Sequence, residues 1–190
     1  MKKDIKKEIY SPAEDSYILQ ETLKKFLKKI SKNSKVLDMG SGSGIQALTC
    51  KKLKFKKILA ADINPDAIKH LKKQKLKTVQ SNLFSKIKKT QKFNLVIFNP
   101  PYLPLDKREP KSSQINTTAG KKGYEIIIKF LKQAKQHLKN KNSSILLLFS
   151  SLSKPKTILK HAKELGYNFK LLNQQKLFFE ELYLFEFKQE

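Results

Sequence analysis

Four consecutive residues, Asn99-Pro100-Pro101-Tyr102, have the types needed to act on a planar amino or amide nitrogen. The lone pair of such a nitrogen is delocalised and weakly nucleophilic, so a catalyst gains most by orienting it. The Asn99 side-chain oxygen and the Pro100 carbonyl can accept its two N–H bonds and turn the lone pair toward an electrophilic carbon. With a sulfonium methyl group as that carbon, the transfer is an in-line displacement. The two prolines hold the backbone rigid, and Tyr102 offers an aromatic face to the planar group. Orientation and charge stabilisation would supply most of the acceleration, with no histidine required. Asn-Pro-Pro can also simply terminate a strand. Its place after the apolar run Phe93 to Phe98 favours chemistry, because open α/β sheets bind ligands at the carboxyl ends of their strands.

A second constellation precedes it. Three of the six glycines, Gly40, Gly42 and Gly44, follow the apolar segment Val36-Leu37-Asp38-Met39 and precede a helical stretch from Ile45 to Leu53. Strand, glycine loop and helix in that order expose main-chain N–H groups to a ligand at a helix N-terminus. The dinucleotide pattern G-x-G-x-x-G fails, since Ile45 stands where the third glycine belongs. A methyltransferase loop tolerates the spacing, and there the Asp38 carboxylate can face the ammonium of a methionine moiety. Asp62, about 20 residues past the loop, can accept hydrogen bonds from both ribose hydroxyls. A turn before Asn64-Pro65 is its competing use. Asn82 can bond an adenine amino group, or serve as a cap or turn residue.

The elements that must position these groups follow from periodicity. Ser11-Pro12-Ala13-Glu14 has the form of a capped helix start, and Ile18, Leu19, Leu23, Phe26, Leu27 and Ile30 continue at helical spacing toward Asn33. Strands are expected at Val36–Met39, Ile58–Asp62, Thr78–Gln80, Phe93–Phe98, Ile145–Phe149, Phe169–Leu172 and Leu182–Phe187. Helices are expected over Asp66–Lys75, Tyr124–Leu138 and Pro155–Leu165, the last closed by Gly166. This alternation predicts an α/β fold: a doubly wound, mostly parallel seven-stranded sheet with helices on both faces and an antiparallel C-terminal hairpin. Residues 103 to 122 read as an irregular loop at the substrate entrance. Glu180 and Glu181 fit a hairpin turn better than an acid pair.

At 190 residues and 39% hydrophobic content the chain is expected to form one domain, 1–190, with residues 1–33 as a helical segment packing on the cofactor site. Cys50 is the only cysteine, so neither an intramolecular disulfide nor a cysteine-based zinc cluster can form. His70, His137 and His161 fall in lysine-rich helical patterns without mutual ligand spacing; solvated rings and no metal are expected. No run is long enough to span a bilayer and no apolar leader opens the chain, which predicts a soluble, cytoplasmic protein without membrane contact. The formal net charge of +25 favours contact with RNA, ribosomes or another acidic partner, or reflects a lysine-biased proteome. Arg108 is the only arginine, so bidentate reading of guanine or phosphate is almost absent.

These residues resemble the HemK-like glutamine methyltransferases, in particular the compact archaeal and eukaryotic branch that acts on translation termination factors. The resemblance rests on Tyr10-Ser11-Pro12-Ala13-Glu14-Asp15-Ser16, Leu37-Asp38-Met39-Gly40-Ser41-Gly42-Ser43-Gly44, Asp62-Ile63-Asn64-Pro65 and Asn99-Pro100-Pro101-Tyr102, in that order along nearly the whole chain. It implies a class I, Rossmann-like methyltransferase fold with S-adenosylmethionine as cofactor. It also implies that Ser16, Asp38, Gly40, Asp62, Asn82, Leu83 and Asn99, with Tyr10 and Gly42 beside them, contact that cofactor. Asn99 to Tyr102 would hold the acceptor, the glutamine of a Gly-Gly-Gln loop in a class I release factor. A small zinc-binding activator subunit that covers apolar surface is the implied partner.

Some positions depart from the family pattern. Asn82 replaces the acidic residue usual at the adenine site, and Gly120-Lys121-Lys122-Gly123 keeps only part of a glycine-rich segment. The N-terminal helical domain of bacterial relatives is not expected here, and acceptor recognition is then expected to rest on the catalytic domain, its loops or a partner. The same planar geometry suits the exocyclic amino group of adenine or guanine, so an RNA or DNA methyltransferase is the alternative. A lysine ammonium has no need of two carbonyl acceptors. A catalytically silent basic scaffold would not require both motifs.

Overall fold

The computed structural model describes residues 9–105 and 118–190. Within them lie helix α1 (Glu14–Leu27), strand β1 (Lys35–Met39), α2 (Ile45–Lys52), β2 (Lys57–Asp62), α3 (Pro65–Lys73), β3 (Lys77–Gln80) and β4 (Leu95–Phe98). After these come α4 (Glu125–Ala134), β5 (Ser144–Ser150), α5 (Pro155–Glu164), β6 (Tyr167–Lys176) and β7 (Glu181–Gln189). The seven strands form one sheet in the order β3-β2-β1-β4-β5-β7-β6. The first five run parallel, while β7 pairs antiparallel with both β5 and β6. The chain order reverses between β1 and β4, and at such a crevice the carboxyl ends of two adjacent strands open onto one ligand site.

Alternation along the strands divides the core in two. Leu37, Met39, Val96 and Phe98 point to the face covered by α4 and α5, where Ile127, Phe130 and Ile158 are fully buried. Val36, Leu95 and Ile97 point to the opposite face, under Leu19, Leu23 and Leu27 of α1, Ala47 of α2 and Leu71 of α3. Burying each such leucine contributes roughly 1.5–3 kcal/mol, so the apolar stripe of α1 fixes this helix against the sheet. Polar ties set its rotation. Gln20 Nε2 donates to Thr49 Oγ1 of α2 at 2.9 Å, and Asn173 Nδ2 of β6 donates to Thr22 Oγ1 at 3.0 Å. No helix among the described residues is long and apolar enough to cross a membrane.

Several boundaries differ from the sequence reading. Ser11 does not occupy the cap position: that position is Ala13, in extended backbone, with no side-chain cap hydrogen bond among the described residues. The Asp15 carboxylate instead takes the Ser16 N–H. Helix α1 stops at Leu27, well before Asn33, because the backbone turns there with Lys29 N–H on Phe26 O. Ile30 still packs on the core from that turn, which is why its spacing read as helical. Phe93 pairs only as an isolated bridge to Leu138, so β4 begins at Leu95. The C-terminal hairpin is longer than expected, since edge strand β6 carries exposed Asn168, Lys170, Gln174 and Gln175 and lacks an apolar alternation to mark its ends.

His137 departs furthest. It is 1% exposed rather than solvated, because a short 3-10 turn after α4 swings the ring inward, where it stacks on Phe84 with centroids 4.5 Å apart. Burial lowers its pKa. Of the irregular 103–122 stretch, residues 106–117, Arg108 included, lie outside the described part. Its flanks meet, with Leu103 bridged to Thr118.

Candidate active site

The carboxyl ends of β1, β2 and β4 open onto a cavity of about 320 Å³. Every residue expected from sequence at the cofactor and acceptor positions lines it: Tyr10, Ser16, Asp38, Gly40, Gly42, Asp62, Asn82, Leu83, Asn99, Pro100, Pro101 and Tyr102. They come from five separate stretches of chain, and the sheet is what brings them to one wall.

The glycine loop begins where β1 ends. Gly44 has φ +85° and sits at the N-terminus of α2, where an added Cβ would lie 2.7 Å from Leu71 Cδ2. A Cβ on Gly40, at φ +62°, would press on the Phe98 ring at 3.2 Å. Both positions therefore need glycine for the loop to fold back over the sheet. The loop is held from below by two aspartates. Asp38 Oδ2 accepts from Ser41 Oγ and from the Ala47 N–H, the latter at 3.0 Å. Asp62 Oδ2 accepts the Gly42 N–H and Oδ1 the Asn64 N–H, each at 2.8 Å.

These carboxylates face the cavity while almost excluded from water. Burial pushes Asp38 up to about 7 from an ordinary 3.8, against the lowering effect of its Ser41 and Ala47 bonds. Asp62 is also raised, again by burial. A buried carboxylate without a cation is costly. Two of them beside one cavity suit a ligand that brings a positive charge to Asp38 and hydroxyl donors to Asp62. At the other end of the cavity, Asn82 is exposed and Leu83 adopts φ +50° with its side chain buried.

The end of the cavity lined by Asn99 to Tyr102 is organised by a residue that the sequence reading did not assign a role. Asp15, 4% exposed, accepts from Asn99 Nδ2 at 3.0 Å and from the Tyr10 hydroxyl at 3.0 Å. The Tyr102 hydroxyl approaches the same carboxylate at 3.4 Å. An ionised carboxylate only accepts hydrogen bonds, so the Asn99 amide must turn its nitrogen toward Asp15 and its oxygen the other way. That oxygen, Asn99 Oδ1, is buried and has no partner among the described residues. A free, oriented acceptor at the cavity wall is what a planar N–H donor requires. Burial first, then the Asp15 charge, raises the phenols of Tyr10 and Tyr102. Both stay protonated donors and neither is a base. Ser153 Oγ anchors the end of the segment on the Tyr102 carbonyl at 2.7 Å. Asp15 stands inside the Tyr10 to Ser16 signature, so its position was the available signal; its contact with Asn99 spans 84 residues and was not.

The sequence profile of the methyltransferase small domain matches residues 14–176. A Methanocaldococcus jannaschii protein named as a protein N5-glutamine methyltransferase is 38% identical over 183 residues, covering 92% of this chain and 89% of the relative. Human methyltransferase HEMK2 is 26% identical over 171 residues, covering 84% of this chain and 79% of its own. Among solved structures, the fold matches the E. cuniculi Mtq2–Trm112 complex, described as responsible for methylating the termination factor eRF1, with TM-score 0.72 and 24% identity over 95% of this chain and 98% of that one.

Proposed function

Because the chain belongs to the methyltransferase small domain family, we propose that it methylates the side-chain amide nitrogen of a glutamine in a class I peptide chain release factor. S-adenosylmethionine supplies the electrophilic sulfonium methyl group. The buried donor set fits this molecule: Asp38 takes the ammonium, Asp62 the ribose hydroxyls, and the N–H groups of Gly40 and Gly42 border its methionine end. Tyr10 and Ser16 close the site from the α1 side, and Asn82 and Leu83 border the adenine. In this reading residues 1–190 work as one methyltransferase domain, and the segment 1–33 contributes Tyr10, Asp15 and Ser16 to it.

The observation that carries the proposal is Asn99 Oδ1, buried without a partner among the described residues and oriented by Asp15. Asn99 Oδ1 and the Pro100 carbonyl each accept one N–H of the glutamine amide, which directs the nitrogen lone pair along the line of attack. Tyr102 packs on the amide plane. Pro100 and Pro101 keep the two acceptors from moving apart. The nitrogen–methyl bond forms as the sulfur–methyl bond breaks to leave a neutral thioether, and the N–H proton given up passes to solvent water. The Asp15 carboxylate behind Asn99 stabilises the positive charge that builds on the nitrogen before the proton leaves.

The E. cuniculi Mtq2 chain is found in complex with Trm112, and a small zinc-binding activator is part of the proposal here. The alternative acceptor is an exocyclic amino group of RNA or DNA. The lysine excess favours nucleic-acid contact, but a lysine-lined cleft among the described residues is misplaced for an acceptor. Lys35, Lys56, Lys57, Lys77 and Lys92 line a cavity of about 310 Å³. Lys35, Lys57 and Lys77 are the first residues of β1, β2 and β3, at the amino ends of the parallel strands, whereas Asn99 follows the carboxyl end of β4. RNA or ribosome contact there is compatible with a protein acceptor.

The test is transfer from labelled S-adenosylmethionine to a purified class I release factor and to the same factor with the Gly-Gly-Gln glutamine changed to alanine. Label on the first and none on the second is expected, with mass spectrometry locating one added methyl on the glutamine. Label that appears only on RNA or DNA in a treated extract would overturn the proposal.

A further inference from the structure

The turn between β6 and β7 spans residues 177–180 and is closed by the Leu177 N–H on Glu180 O at 2.8 Å. It carries Phe178 and Phe179, which are 92% and 86% exposed and pack edge to face with centroids 4.6 Å apart. The other exposed large apolar side chains of the described residues lie between 38% and 54%. Two adjacent phenylalanines held this far into water contribute nothing to the core, and each retains a large apolar area that a partner could bury.

The tip is tied to the acceptor end of the active site. The Glu181 N–H donates to Ser151 Oγ at 3.1 Å. Two residues on, Ser153 Oγ donates to the Tyr102 carbonyl at 2.7 Å. The short turn 151–153 thus fastens the hairpin tip on one side and the Asn99–Tyr102 segment on the other. Glu180 is near enough for its charge to raise the phenols of both Tyr10 and Tyr102. Its Oε2 is buried with no hydrogen-bond partner among the described residues. A buried carboxylate oxygen without a donor carries a desolvation cost that an arriving N–H group would remove.

We infer that the 177–180 tip is the docking element for the acceptor protein: Phe178 and Phe179 take apolar side chains flanking the target glutamine, and Glu180 accepts an N–H of the same segment. This rests on the release-factor reading above and adds to it the surface that selects the acceptor. Exposed aromatics can also stack on bases. Here, however, Glu180 and Glu181 sit beside the pair and would repel a phosphate backbone, whereas peptide N–H groups complement them. Glu180 is a positioning residue, since it touches the acceptor segment and not the reacting atoms.

The experiment compares initial rates against release-factor concentration at saturating cofactor for the unsubstituted chain, the Phe178→Ser/Phe179→Ser pair, the Phe178→Leu/Phe179→Leu pair and Glu180→Gln. Each is assayed in the complex in which it purifies, with the cofactor Kd measured by calorimetry. The serine pair should raise the acceptor KM at least about tenfold, equal to about 1.4 kcal/mol of lost contact, with kcat and cofactor Kd little changed. The leucine pair should return the KM close to the original, and Glu180→Gln should raise it severalfold. An unchanged KM in the serine pair overturns the inference. So does loss of the activator subunit from the complex, which would give the tip a different occupant. Absence of any transfer by the unsubstituted chain would instead defeat the release-factor reading and this inference with it.

Discussion

Asp15→Ala isolates the role of orientation at the acceptor site. The substitution removes the carboxylate that accepts from Asn99 Nδ2 at 3.0 Å and leaves every group the acceptor itself would touch in place. Without Asp15, the Asn99 amide has no reason to keep its nitrogen inward, and a flip presents an NH2 to the glutamine nitrogen. A hydrogen bond to a charged group is worth about 1.5–3 kcal/mol. At about 1.4 kcal/mol per factor of ten, kcat should fall by about 10- to 100-fold. Asp15→Asn should recover only part of this. One side of the new amide is a donor, and it must face either the Ser16 N–H or Asn99 Nδ2, which are donors themselves. The assay is single-turnover methyl transfer at saturating cofactor, with a thermal melt to establish that each variant is folded. A folded Asp15→Ala protein with kcat within about twofold of the original would refute the orientation argument.

Asn99→Ala should abolish most turnover, about 100- to 1,000-fold in kcat, while calorimetry finds cofactor affinity changed little. Asp62→Ala removes the acceptor of both the Gly42 and Asn64 N–H groups, and should weaken cofactor binding by about 100-fold or more from the loss of charged hydrogen bonds. Asp38 titrates near 7 in the folded protein and at an ordinary 3.8 when unfolded. Between these values the folded state binds the extra proton, so stability is highest at the acid end of the window and falls as pH rises through it, by up to about 1.4 kcal/mol per pH unit. A cationic ligand group needs the ionised form, so cofactor Kd should rise up to about tenfold for each unit the pH drops below that pKa. Asp38→Asn should flatten both profiles, in melts and in calorimetry. Gly44→Ala combines a left-handed backbone with a contact to fully buried Leu71; a loss of about 1–3 kcal/mol should be visible as a lowered melting temperature.

Sequence alone determined the order of elements and which polar residues stand at the strand ends. Apolar runs bounded by Gly-Ser-Gly-Ser-Gly or Asn-Pro-Pro are local signals, because periodicity, φ restriction and missing N–H groups act within a few residues. It was thus possible to place Asp38, Asp62 and Asn99 at the ends of β1, β2 and β4 from the sequence and to expect a closing hairpin. Segment ends that depend on long-range packing were not legible. Helix α1 ends at Leu27 because the chain turns against the core there, and the apolar Ile30 that follows keeps the helical spacing without the helix. His137 carries the surroundings of a surface residue in sequence and is buried because the turn after α4 meets Phe84. Only the tertiary structure brought Asp15 to Asn99, left Asn99 Oδ1 without a partner among the described residues and fixed the hairpin tip beside Tyr102. Those relations join residues tens of positions apart, and the sheet order that closes the distance is set by burial on both faces at once.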